Sequence, residues 1–181
     1  IAVVTAINVY GAKILAMVNN MSVWWHGFGA ALVIGILLVV PDNHQSVSWM
    51  FTERINNSGF ENYWLYVLPL GFLLTQYTIT GFDACAHMSE ETKGAEHAAA
   101  RGLWQAIFYS AIGGWVVLLA FLYAVQDADA VTAGGGGVAV IFAQALSAKW
   151  AGTVLLIASF GQLFCCTSAL TSASRMMFAF S

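Results

Sequence analysis

Residues 75–92, TQYTITGFDACAHMSEET, carry Gly81, Asp83 and His87, groups that lipid should forbid, in an otherwise apolar stretch long enough to cross a membrane. Glycine weakens a helix and takes backbone conformations that other residues resist. Thr78 and Thr80 add hydroxyls beside it. The surrounding sequence is apolar, and a charged side chain at the centre of a bilayer costs ~2.5–3.5 kcal/mol on insertion scales. Such groups persist where they face protein or a water-filled cavity.

Two readings of residues 78–83 follow. A helix broken near the midplane, whose freed N–H and C=O groups hold a solute, accounts for the glycine, the two threonines and the carboxylate after them. A packing face of small residues, with Gly81, Ala84 and Cys85 admitting a neighbouring helix, explains Gly81 well and Asp83 badly. The broken helix is the better account. His26, in NNMSVWWHGFG, is the other ionisable group near a span interior. It suits either a proton-dependent step or a plain interfacial position.

The elements that position these residues are apolar throughout. The chain has 181 residues, 60% of them hydrophobic and 8% charged, against about 25% charged in soluble domains. Its mean hydropathy of +0.75 marks an all-α, polytopic membrane protein. A net charge of −3 gives no basic footprint for nucleic acid. Three cysteines, Cys85, Cys165 and Cys166, are too few for a disulfide framework and are expected to act as small buried hydrophobes. The chain opens at Ile1 in apolar sequence without an initiator Met, so it is expected to be part of a longer protein.

A span needs about 20 mostly apolar residues. Residues 1–10 read as the end of one span, and about 14–40, 63–88, 103–125 and 152–178 as four more, all within one transmembrane domain over 1–181. Pro41-Asp42-Asn43 closes the first of the four, and Pro69 is expected to kink the outer end of the second. The tetraglycine Gly134–Gly137 reads as a flexible loop, and 138–150 as a short surface helix. Segments 41–62 and 126–150 fall on one side, carrying Arg54 and Lys149. The segments at 11–13 and 89–102, with Arg175, fall on the other, carrying Lys13, Lys93, Arg101 and Arg175. Basic residues accumulate in the cytoplasm, so 89–102 is expected inside and 41–62 and 126–150 outside. Trp49, Trp64 and Trp150 then fall near the outer interface.

The run GFDACAHMSEET resembles the sixth transmembrane helix of permeases of the amino acid–polyamine–organocation superfamily, closest to the branch of amino-acid, GABA and choline permeases. INVYGAKILAMVNNMSVWWH is similar to the inner turn into the family's fifth helix, and TSALTSASRMMFAFS to the end of its eighth. The similarity covers the chain from the end of the fourth helix through the eighth. It implies a twelve-helix transporter with the LeuT-type inverted repeat, of which this chain is roughly the middle third. It implies alternating access with no covalent chemistry, hence neither an enzyme nor a cofactor. The implied partners are an amino acid or small amine, a coupling proton (or sodium), and the lipid bilayer of the cell membrane.

Carried over by position, the resemblance makes Thr78, Ile79, Thr80 and Gly81 the unwound segment whose carbonyls receive a substrate ammonium. Tyr77 becomes an aromatic gate. Asp83 matches an acidic position with a part in gating or proton movement, or else it caps the inner half-helix. His26 matches a position where several sodium-independent relatives carry a lysine, and a histidine departs from that pattern. Thr167 and Ser168 align with hydroxyls that complete an ion site, although buried hydroxyls also bond back to their own helix. The alternative, a membrane-embedded subunit of an enzyme or channel, would need a convergent catalytic set, metal ligands or a pore ring. Cys85, His87, Glu90 and Glu91 have no second Cys/His pair at a recognised metal spacing.

Overall fold

The computed structural model describes residues 2–9, 12–56, 59–133 and 137–181. Among them the regular structure is helical. Helix α1 is Ala2–Val9, α2 is Ala12–Val39 and the short α3 is Val47–Thr52. An interrupted helix follows. It runs from a π-helical turn at Tyr63–Val67 through α4, Leu68–Gln76, and a 3-10 turn at Tyr77–Ile79 to α5, Ala84–His87. Then come α6, Ala95–Ala124; α7, Ala128–Ala133; α8, Gly137–Ala145; and α9, Ala148–Ala179. Four stretches have the length and apolarity to cross a membrane: Lys13–Val39, Tyr63–His87, Ala95–Ala124 and Ala148–Ala179. Many large apolar side chains on them point outward, including Trp24, Phe28, Trp104, Trp115 and Leu156. Lipid or further helices accept such a surface; water does not.

Several expectations need correction at their edges. The segment 89–102 is not a loop throughout: α6 begins at Ala95, because AEHAAAR is rich in the best helix former and Gly94, at φ +66, turns the chain into it. The surface helix expected over 138–150 ends at Ala145, and Ala148–Trp150 already belong to α9. Gly134–Gly136 of the tetraglycine lie outside the described residues, and Gly137 opens α8 at φ +45. Cys165 and Cys166 are exposed rather than buried, Cys166 on the wall of an open cleft between α9 and Val4 and Thr5 of α1; Cys85 is half-buried. The irregularity expected at Pro69 falls just before it. Proline offers no N–H to Leu65, and the preceding turn widens so that Leu68 N–H bonds the Tyr63 carbonyl instead. The Asn62 side chain caps that turn by accepting from Leu65 N–H at 3.0 Å.

The chain forms two compact units. In the first (Ile1–Gly29, Ile79–Ser110, Leu156–Ser181), α2 and α9 lie antiparallel. The Trp25 indole N–H donates to the Ile157 carbonyl at 3.0 Å, and its ring lies 5.3 Å from that of Phe160. Gly29 makes the crossing possible: a Cβ there would sit 3.0 Å from Ile157 Cγ2. In the second unit (Ala30–Thr78, Ala111–Leu155), Leu37 and Val154 are almost fully buried, among Ala124, Ile141 and Phe142. His44 stacks on Tyr123 at 4.3 Å, and the Gln126 side chain donates to the Asn43 carbonyl at 2.8 Å. These contacts tie the turn after α2 to the end of α6.

Candidate functional site

Regular α-helical bonding stops after Gln76 and resumes at Asp83, whose carbonyl accepts from Ala86 and His87 N–H. Gly81 turns at φ +90 in between, and a Cβ built there would meet nothing within 4 Å. Gly81 is therefore required for its backbone conformation, not for the approach of a neighbour. Small-residue packing falls on other positions. A Cβ at Gly102 would sit 2.9 Å from Cys85 Sγ, and one at Gly114 only 2.6 Å from Thr78 Cγ2. The two units divide at the interruption itself, with Tyr77 and Thr78 in the second and Ile79–Asp83 in the first. Tyr77 is 75% exposed.

Asp83 stands at the N-cap position of α5 but makes no side-chain capping bond. Capping requires an extended backbone at that residue, and Asp83 is already helical at φ −72, ψ −12. Its carboxylate instead lies 3.5 Å from His87 Nε2, one turn on. His87 Nδ1 is 2.7 Å from Ser172 Oγ on α9, so the ring bridges α5 to α9.

A run of polar side chains continues from there within the first unit. Thr171 donates to Asn8 Oδ1 at 2.6 Å, and Asn8 Nδ2 donates to the Val4 carbonyl at 3.0 Å. Ser168 donates to Asn19 Oδ1 at 3.2 Å. Thr167, 1% exposed, spends its hydroxyl on the Leu163 carbonyl of its own helix. The two hydroxyls expected to act together are thus separated in role, Ser168 facing α2 and Thr167 bonding backwards. His26 meets an earlier turn of α9. Its Nδ1 is 2.7 Å from the Ser22 carbonyl, its ring centroid is 6.5 Å from that of Phe164, and a Cβ at Gly161 would be 3.4 Å from its Nε2.

A cleft of about 360 Å³ opens beside this run. Asn19, Thr92, Ser168, Thr171 and Ser172 supply its polar groups, and Ala84, Cys85 and Met88 part of its apolar wall. The volume lies within the range of small-molecule pockets. Sequence reasoning missed Asn8, Asn19, Thr171 and Ser172. The signal was present for the two asparagines, since amides in apolar helices seek partners across the bundle. Among the described residues, no three His, Cys, Asp or Glu side chains are grouped to hold a metal.

Membrane-length helices, an interruption in one of them and a cleft beside its C-terminal part define a multi-pass helical membrane protein. The chain belongs to the amino acid permease family, which matches it over residues 1–181, and family and helices together place it in the cell membrane. Among its relatives, the amino-acid permease BAT1 of Arabidopsis thaliana is 33% identical over 93% of this chain and 35% of its own length. The BAT1 homolog of Oryza sativa is 33% identical over 97% of this chain and 36% of its own. The GABA-specific permease of Saccharomyces cerevisiae is 32% identical over 74% of this chain and 24% of its own. The chain thus spans about a third or less of these relatives' lengths. No solved structure matches it significantly.

Proposed function

We propose that this chain is the central part of a secondary active transporter of amino acids or related small amines, working by alternating access and driven by a coupling proton. The observation that carries the reading is the interruption at Tyr77–Asp83, with Gly81 at φ +90, inside a membrane-length apolar stretch of an amino acid permease family member. An opened helix offers backbone carbonyls with partial negative charge to an ammonium, without an ionised group to desolvate. In this reading the backbone of Thr78, Ile79, Thr80 and Gly81 receives the substrate's amine, Tyr77 covers it, and Asp83 adds negative charge at the inner end. The coupling ion acts beside Thr167 and Ser168, with His26 of α2 as the ionisable group. The names of the relatives, an amino-acid permease and a GABA permease, support this class of substrate.

The test uses the full-length protein in proteoliposomes, with radiolabelled alanine, GABA and putrescine offered separately. Saturable uptake of at least one, accumulated against its gradient only when the outside is acidified, is the expected result. Uptake that ignores the pH gradient and follows a sodium gradient would replace the proton by sodium. No saturable uptake of any of the three would overturn the assigned substrate class.

A further inference from the structure

We propose that His87, held between Asp83 and Ser172, is a proton-binding site on the inner half of the interrupted helix, separate from His26, and that the proton enters at Nδ1 from the cleft. The inference rests on the transporter reading for its role in coupling, but not for proton binding itself. As a carboxylate, Asp83 only accepts, so the ring nitrogen turned to it, Nε2 at 3.5 Å, carries the hydrogen of the neutral imidazole. Nδ1 is then the acceptor, and the Ser172 hydroxyl, 2.7 Å away, donates to it. When a proton arrives at Nδ1, the Ser172 hydroxyl turns and its oxygen accepts instead. Ser172 thus keeps the Nδ1 side of the ring hydrogen-bonded in both protonation states, while the Asp83 carboxylate, at ion-pair distance, faces Nε2.

Access and charge fit the same role. The His87 side chain is 19% exposed, and its partner Ser172 lines the cleft, which also reaches Thr92 in the segment expected on the cytoplasmic side. Deprotonated, the Asp83–His87 pair carries one negative charge; protonated, it is neutral. A low-dielectric, closed arrangement favours the neutral pair and a wet, open cleft tolerates the charged one, which couples proton binding to a change of access. The ionisable groups on the neighbouring elements are half-buried Arg175, one turn beyond Ser172 on α9, Lys13 at the start of α2, and exposed Glu90, Lys93, Glu96, His97 and Arg101 before and along α6. Among the described residues, the ionised group paired with the ring is Asp83.

Two measurements on the full-length protein test this. In lipid nanodiscs with 15N-labelled histidine, the His87 signal is assigned by its loss in His87→Gln. It should show the Nε2–H tautomer when neutral and convert to imidazolium on acidification. Asp83→Asn and Ser172→Ala should each mix the tautomers. A signal that stays neutral down to the lowest pH at which the protein remains folded, or a neutral ring protonated on Nδ1, would overturn the site. In proteoliposomes with radiolabelled alanine or GABA, the ratio of pH-gradient-driven accumulation to counterflow at equal pH should fall about tenfold or more in His87→Gln, which keeps hydrogen-bonding capacity but takes up no proton. An unchanged ratio, including both activities falling together, would reduce His87 to a structural bridge. If the wild type transports none of alanine, GABA and putrescine, the transporter reading fails, and the nanodisc measurement still decides proton binding.

Discussion

At Gly81 the left-handed backbone and the empty space around it separate two costs that usually come together. Alanine at this position meets no atom within 4 Å, so the whole penalty of Gly81→Ala is conformational, about 1–2 kcal/mol for holding an L-residue at positive φ. The expected outcome is a variant that inserts and is purified normally, melts a few degrees lower, and loses most of its uptake because the chain relaxes toward continuous helix. Thermal unfolding and uptake on the same preparation check this. Wild-type uptake at wild-type stability would mean that the interruption does not depend on Gly81. This residue was legible in the sequence because a glycine between threonines and an aspartate, deep in apolar sequence, is hard to reconcile with an unbroken span. His87 was not. Its meaning depends on Ser172, 85 positions away, and nothing local in AHMSEET indicates that partner.

Helix α6 shows what a single element contributes to the site. Two of its glycines, Gly102 and Gly114, are contact surfaces: Gly114 leaves room for Thr78, in the 3-10 turn where the interruption begins. Gly114→Ala would bring a Cβ to 2.6 Å from Thr78 Cγ2, closer than such atoms approach, so one side must move. The variant is expected to lose about 1–3 kcal/mol of stability, the usual range for overpacking. Thr78→Ser removes Cγ2 and keeps the hydroxyl, so the double variant should recover most of that loss, and a double-mutant cycle on thermal stability reads the coupling. Additive effects would place the strain elsewhere. The apolar length of α6 was plain in the sequence, but its true start was not. The charges of SEETKGAEHAAARG suggested a solvated loop, whereas the alanine run propagates helix back to Ala95 and carries Ala98 and Ala99 to the rim of the cleft. The asparagines of α1 and α2 were visible as residues, yet their pairing with Thr171 and Ser168 needs the antiparallel register of α2 on α9, which periodicity alone does not supply.

For the whole molecule the open matter is sidedness, on which the direction of any proton gradient depends. Lys13, Lys93, Arg101 and Arg175 gather at one set of ends, and Arg54 and Lys149 at the other. The bias is smaller than in many membrane proteins, but Arg54 is otherwise engaged: its guanidinium lies 4.6 Å over the Trp64 ring and 5.8 Å from that of Tyr63. Such a cluster suits an aromatic belt at the bilayer surface, where amphipathic rings anchor a span and the charge is partly screened by the ring faces. The four remaining cytoplasmic candidates then outweigh Lys149 in setting orientation. The expected outcome is concrete. In a full-length background freed of cysteine, Asp42→Cys and Asp129→Cys should react with a membrane-impermeant maleimide in intact cells, whereas Glu96→Cys should react only after permeabilisation. All three positions are exposed and lie outside the four membrane-length stretches or at an end of one, so lack of reaction at any of them reports the membrane and not the fold. Labelling of Glu96→Cys in intact cells, with the other two protected, would invert the molecule, and the cleft beside His87 would then open to the outside.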